Sequence, residues 1–247
     1  MEELLIARGL RKIYPGMHTP AVDGLDITLY PGETLGLLGP NGAGKTTALS
    51  MLSTRLQPTG GELWVENLAA AGHKRLVRQR IGYVPQDIAL YSELTGRENL
   101  AFFGSLYTLA GERLKTRIER CLAFVLLERV GDQQVGTYSG GMKRRLNLAV
   151  ALLAEPRILL LDEPTVGIDA QSRSLILDSL ATLAARGSAL VYTTHYMEEV
   201  EQLCDTVVIL DAGKVIARGA PAELTAREGC PNLGNLFLKL TGKSLRE

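Results

Sequence analysis

Three short stretches of this chain hold residue types that could do chemistry together. Gly39-Pro40-Asn41-Gly42-Ala43-Gly44-Lys45-Thr46-Thr47 fits the pattern Gly-x-x-x-x-Gly-Lys-Ser/Thr without a gap. Glycines at 39, 42 and 44 permit backbone angles that side chains forbid, so successive N–H groups can turn inward on an anion. A helix opening at Lys45 would add its partial positive charge. A polyphosphate suits such a loop, with Lys45 on the β- and γ-phosphates and the Thr46 hydroxyl on Mg²⁺. Ile158-Leu159-Leu160-Leu161-Asp162-Glu163 is an apolar run ending in two acids, about 115 residues further on. Beside a phosphate loop, Asp162 would bind Mg²⁺, through water, and Glu163 would polarise an attacking water as general base. The third stretch, Tyr138-Ser139-Gly140-Gly141-Met142, precedes Lys143-Arg144-Arg145. A serine and two glycines opening a helix again make an anion site from a hydroxyl, unhindered N–H groups and a helix dipole. Taken alone, this run fits an N-cap with a glycine turn better than an anion site.

The elements that would position these residues can be read from periodicity. Thr34 to Leu38 is strand-like and Thr46 to Leu52 can be helical, so the phosphate loop has its strand, loop, helix setting. Between Leu4 and Leu29 strands are favoured, with Leu25, Ile27 and Leu29 alternating with polar residues, and Pro31-Gly32 turns the chain into the phosphate-loop strand. This predicts an antiparallel β lobe preceding the nucleotide core. Short strands follow around Glu62 to Val65 and Ile81 to Val84, the latter ending at Pro85-Gln86. Thr95-Gly96-Arg97-Glu98 has the form of a capping box, and Glu112 to Glu128 carries apolar residues at helical spacing. We read 87–155 as a helical lobe. Beyond Pro156, strands at 157–161, 189–193 and 206–210 alternate with helices at 170–185 and 197–203, the pattern of a parallel sheet with crossovers. Lys214 to Arg218 reads as a further strand, and 221–227 and 232–240 as terminal helices. The expected fold class is α/β: a phosphate-loop, RecA-like core from 1–86 and 156–220 with an N-terminal antiparallel β lobe, the helical lobe, and C-terminal helices at 221–247. In such a sheet ligands sit at the carboxyl ends of the strands, which puts Asp162 and Glu163 beside the phosphate loop.

Bulk composition narrows the function classes. A chain of 247 residues that is 46% hydrophobic can bury a sizeable core. Lys plus Arg and Asp plus Glu both total 27, so net charge gives no reason to expect a nucleic acid partner. Cys121, Cys204 and Cys230 have no paired spacing, which fits a reduced compartment and core thiols. The longest unbroken apolar runs have seven residues, well short of the roughly 18 to 20 that span a bilayer. The start Met1-Glu2-Glu3-Leu4 lacks the basic and apolar regions of a signal peptide, so a cytoplasmic location is expected.

The order and spacing of Gly39 to Thr47, Tyr138 to Met142, Leu160 to Glu163 and Thr194-His195 resemble those of an ABC transporter nucleotide-binding subunit, over essentially the whole chain. In that family the serine-glycine-glycine signature reads the γ-phosphate of ATP held by the opposite subunit, which would give Ser139, Gly140 and Gly141 their purpose. The resemblance also implies Tyr14 as the aromatic stacking on adenine, Gln86 as the residue touching Mg²⁺ or the attacking water, Asp169 in the loop that crosses the dimer, and His195 as the switch histidine on the γ-phosphate. It implies ATP and Mg²⁺ as cofactors and an ATPase that closes head to tail with a second nucleotide-binding subunit, taken as a copy of this chain. Closing and hydrolysis would drive separate membrane-spanning subunits, with this protein peripheral on the cytoplasmic face of the membrane.

Departures from the family pattern are mild. Tyr138 stands where leucine is commonest, Met142 where glutamine is commonest, and Ala170 where proline frequently follows Asp169. The Tyr-Ser-Gly-Gly-Met form, the short extent beyond the core and the tail Leu236 to Gly242 resemble ATPases of bacterial exporters of drugs, lipids or polysaccharides. The rival reading is a soluble ABC-type ATPase acting on ribosomes or DNA. Such proteins usually carry tandem cassettes or a long coiled-coil insertion, whereas one cassette is present here and 52 residues separate Gln86 from Ser139. A phosphate-loop kinase would leave the signature unexplained. Asp87-Ile88-Ala89-Leu90-Tyr91-Ser92-Glu93-Leu94, with Phe102 and Phe103 nearby, reads either as packing between lobes or as the surface where a partner helix docks.

Overall fold

The computed structural model describes residues 2–242. In chain order its elements are β1 (Leu5–Lys12), β2 (Val22–Leu29), β3 (Thr34–Leu38), α1 (Lys45–Leu52), β4 (Gly60–Val65), β5 (Leu68–Ala69), α2 (Lys74–Arg80), β6 (Ile81–Val84), α3 (Gly96–Leu106), α4 (Gly111–Phe124), α5 (Gly140–Leu152), β7 (Ile158–Asp162), α6 (Ala170–Ala185), β8 (Ala189–Thr193), α7 (Met197–Leu203), β9 (Thr206–Asp211), β10 (Lys214–Gly219), α8 (Pro221–Glu228) and α9 (Leu233–Thr241). They build a four-stranded sheet, ordered β2-β1-β4-β5, and a six-stranded sheet, ordered β10-β9-β3-β8-β7-β6.

The larger sheet is parallel except for the β9–β10 hairpin. Strands β3, β7 and β8 are buried at every position because both faces are covered, as parallel sheets require. The period of two sorts them. Ile158 and Leu160 of β7 face a core shared with the small sheet and α1, while Leu159 and Leu161 face a core shared with α5, α6 and α9. Each buried Leu or Ile contributes about 1.5–3 kcal/mol relative to exposure, so this alternation fixes strand register strongly.

The small sheet is antiparallel, as expected, but it does not simply precede the nucleotide core. Half of its strands, β4 and β5, come after α1. Leu63 and Val65 are the buried positions of β4, and they pair opposite Ala7 and Leu5 of β1, so burial of one face draws the later strand back across the core. Helix α4 is shorter than its periodicity suggests. It ends at Phe124 because Leu126 takes a left-handed backbone, φ 56°, and the chain turns there. The capping box forms: the Thr95 hydroxyl accepts from the Glu98 N–H, and the Glu98 carboxylate accepts from the Thr95 N–H.

What matters for the site is direction. β3, β8, β7 and β6 lie side by side and run the same way. Their carboxyl ends therefore open at one edge, the edge at which ligands bind in open α/β sheets. Asp162 at the end of β7 is paired across from Thr193 at the end of β8, and Val84 of β6 from Leu161. No described helix is long and apolar enough to cross a membrane.

Candidate functional site

At that edge, the segment 39–47 leaves β3 and enters α1. Gly44, the N-cap, has φ 106°, and a Cβ there would lie 2.3 Å from the Ala21 carbonyl oxygen, so only glycine fits. No side chain caps α1, which leaves its first N–H groups to face a ligand. The loop borders a cavity of about 780 Å³ lined by Asn41, Gly42, Gly44, Lys45, Thr46 and Thr47 on one side and by Gln86, Glu163 and His195 on the other. Lys45 is buried, and its ammonium donates to the carbonyls of Gly39 (2.6 Å) and Pro40 (3.2 Å). Burial lowers its pKa, and the carboxylates of Glu163 and then Asp162 act in the opposite sense. A cation held in low dielectric beside two carboxylates is strongly placed to take up polyphosphate charge.

Gln86, Glu163 and His195 meet directly. The Gln86 amide donates to Glu163 Oε2 at 3.1 Å, and His195 Nδ1 approaches the same oxygen at 3.5 Å. Glu163 has φ 47°, a left-handed backbone costing on the order of 1 kcal/mol for a residue with a Cβ. Its N–H is held by the carbonyl (3.2 Å) and hydroxyl (3.0 Å) of Thr193. The strained turn aims the carboxylate into the cavity while its neighbour Asp162 stays buried. Asp162 accepts from the Thr193 hydroxyl at 3.0 Å and from the Tyr83 phenol at 3.4 Å. Burial, then the Asp162 carboxylate, pushes the Tyr83 phenol up to about 12, so it remains a donor.

Tyr14 sits at the rim, its hydroxyl 3.2 Å from that of Thr47. It borders a side cleft with Thr46, Gln86 and Asp162, which brings the three candidate Mg²⁺ ligands to one place. Among the described residues no group of three His, Cys, Asp or Glu is arranged to hold a metal. A hydroxyl, an amide oxygen and one carboxylate are instead the donor set suited to a magnesium ion that keeps waters and takes substrate phosphate oxygens as ligands. The residues fit ATP·Mg²⁺.

Ser139, Gly140, Gly141 and Asp169 do not line this cavity. They form a second patch. The Ser139 hydroxyl accepts from the Met142 N–H at 3.2 Å and caps α5, while the Asp169 carboxylate caps α6 through the Ser172 N–H (2.8 Å) and hydroxyl (2.7 Å). Those bonds, the one from the Ser172 backbone first, hold the Asp169 carboxyl below its ordinary range. The two caps are packed together, since a Cβ on Gly141 would lie 2.0 Å from Ser172 Oγ.

Sequence reasoning missed the residues that hold the site rather than line it. Thr193 binds both acids. Arg144, buried in α5, donates to the backbone carbonyls of Gln86 and, at 3.3 Å, Val166, joining the signature helix to the cavity wall. Tyr196 lines the cavity and packs its ring 4.4 Å from that of His195. No local pattern marks Thr193 or Arg144 for these roles, because each acts on a partner distant in sequence.

Residues 22–166 match the family model described as ABC transporter. The linearmycin resistance ATP-binding protein of Bacillus subtilis is 43% identical over 99% of this chain and 76% of its own length. The Nod factor export ATP-binding protein I of Ralstonia nicotianae is 44% identical over 92% of this chain and 70% of its own length. Among solved structures, a dimeric ATP-binding cassette in a post-hydrolysis state, bound to ADP and Pi, superposes with a TM-score of 0.79 at 26% identity, covering 88% of this chain and 98% of that one.

Proposed function

Because the chain belongs to the ABC transporter family and is an ATP-binding, ATP-hydrolysing subunit, we propose that it holds ATP·Mg²⁺ in the cavity at the sheet edge, closes head to tail with a second copy of itself, and drives export through separate membrane-spanning subunits. The observation that carries this reading is the convergence of Gln86 and His195 on one carboxylate oxygen of Glu163, in the cavity that Lys45 also lines.

Lys45 and the N–H groups of 39–47 bind the β- and γ-phosphates, and Tyr14 stacks on the adenine. Thr46, Gln86 and Asp162 hold Mg²⁺, with Asp162 acting through water. When bound, the ion would supply positive charge that offsets that of the phosphates. Glu163 takes a proton from the attacking water as general base, Gln86 orients that water, and His195 donates to the γ-phosphate. Ser139, Gly140 and Gly141 supply the hydroxyl and N–H groups that read the γ-phosphate in the facing copy, and Asp169 crosses the dimer seam. The separation of this patch from the cavity supports that division, as does the dimeric form of the related cassette.

The membrane partner is reached from the helical side. Tyr91 and Phe102 are exposed, 46% and 41%, and their rings meet edge to face at 4.9 Å, while Phe103 is only partly exposed beneath them. This patch follows Gln86 closely in sequence and supports docking of a cytoplasmic helix of the partner, which would hold the chain at the cytoplasmic face. The export names of relatives support the direction of transport.

Glu163→Gln tests the reading. Loss of a general base typically lowers turnover by about 10² to 10⁴, roughly 3 to 5 kcal/mol of barrier, with ATP binding retained. Near-normal steady-state hydrolysis with ATP and Mg²⁺ would remove Glu163 from the role.

A further inference from the structure

Glu199, in the first turn of α7, is 2% exposed and takes no part in the roles assigned above. One of its carboxylate oxygens, Oε2, accepts from three hydroxyls: Thr194 at 2.6 Å, Tyr192 at 2.7 Å and Thr165 at 3.1 Å. The other, Oε1, has no hydrogen-bond donor among the described residues and faces Arg173 Nε at 3.5 Å. Taking a carboxylate out of water is costly, so packing alone is a poor reason to keep one here.

The three hydroxyls come from different parts of the site. Thr194 is the residue before His195, and its Oγ1 also accepts from the Tyr196 N–H at 3.0 Å, closing the turn that carries the histidine. Thr165 lies two residues beyond Glu163, on the segment leading to Asp169. Tyr192 belongs to β8, between them; burial, and then the Glu199 carboxylate, raises its phenol pKa well above the ordinary value, so it stays a donor. Arg173 of α6 adds a second link, with its guanidinium 4.2 Å over the Tyr196 ring beside His195.

We propose that Glu199 is a positioning residue for hydrolysis, tying the turn of His195 to the segment leaving Glu163 so that both groups keep their approach across the cavity. The proposal rests on the roles given to Glu163 and His195 above. It predicts that the buried knot matters to the chemical step and not to nucleotide capture, because none of its bonds reaches the phosphate loop.

The test compares Glu163→Gln, Glu199→Gln and Thr194→Val in the full chain, measuring steady-state hydrolysis with ATP and Mg²⁺ and the affinity for a fluorescent ATP analogue. Glu199→Gln is expected to lower kcat roughly 10- to 100-fold, the scale of a 1 Å misplacement, with affinity within about twofold of wild type. Thr194→Val should lower kcat in the same way, and the loss in the double variant should fall short of the two single losses combined, because both cut the Thr194–Glu199 bond. Full kcat in Glu199→Gln with Glu163→Gln inactive would overturn the proposal and leave the functional reading standing. Parallel loss of affinity, kcat and melting temperature, or additive effects in the double variant, would also overturn it, since they mark general destabilisation. Turnover retained by Glu163→Gln would sink the functional reading instead, and this proposal with it. Should Glu199→Gln fail to fold, Thr194→Val and Thr165→Val decide: each keeps the volume and removes one donor, and wild-type kcat in both would refute the role.

Discussion

Two helix N-termini in this molecule look alike in sequence and are built differently. Both α1 and α5 start beside glycines and a hydroxyl residue: Gly42 and Gly44 precede Lys45 and Thr46 at α1, and Ser139 precedes Gly140 and Gly141 at α5. At α1 the N-cap is Gly44, no side chain satisfies the first turn, and a buried lysine lies alongside. At α5 the N-cap Ser139 is exposed and already bonded to the Met142 N–H, and the neighbouring glycine serves packing against α6. The first sets uncapped N–H groups beside a buried cation; the second offers a hydroxyl and N–H groups at the surface. A site of that second kind gains full use when another molecule brings the anion, which is the physical basis for giving the two helix ends to opposite subunits.

The largest expected effect separates them by association state. In a Glu163→Gln background, expected to accumulate bound ATP, Ser139→Arg should abolish the ATP-dependent dimer while monomer ATP affinity stays within about twofold, because the bulk blocks only the facing site. Light scattering showing an intact dimer would break the comparison. Lys45→Ala comes next. Hydrogen bonds to charged groups contribute about 1.5–3 kcal/mol, so ATP affinity should fall by roughly 10- to 100-fold; unchanged affinity in a titration would dissolve the distinction from the other end.

A pair of glycine substitutions sharpens the contrast. Gly44→Ala forces a Cβ against a backbone carbonyl at positive φ and should destabilise by about 1–3 kcal/mol and weaken ATP binding. Gly141→Ala meets the Ser172 side chain at normal φ and should lower the melting temperature while sparing ATP affinity. Thermal melts with and without ATP distinguish them: an equal ATP-induced rise in both variants would contradict the assignment. Smallest on the isolated chain is Tyr91→Glu, a surface change expected to shift stability within about 0.5 kcal/mol and hydrolysis little. Recovery of the membrane partner with it should nevertheless fall, and full recovery would place docking elsewhere.

Much of this protein was legible because the information is local. The phosphate loop declares itself through glycine spacing and the strand and helix that flank it, and the strands at 158–162 and 189–193 through unbroken apolar runs, since a sheet covered on both faces demands them. The capping box at Thr95 could be named from four letters. The return of β4 to pair with β1 could not, because its alternation says only that one face is buried and not against what. Nor could the supports of the site: Thr193 gripping both acids, Tyr83 bonded to Asp162 across 79 positions, Arg144 reaching Gln86 across 58, and Glu199 gathering three hydroxyls. Residue type and spacing along the chain picked out the groups to which the chemistry is assigned here. Only the folded sheet, by bringing four parallel strand ends to one edge, decided which groups hold them in place, because a hydrogen bond between distant residues leaves no periodic trace in either segment.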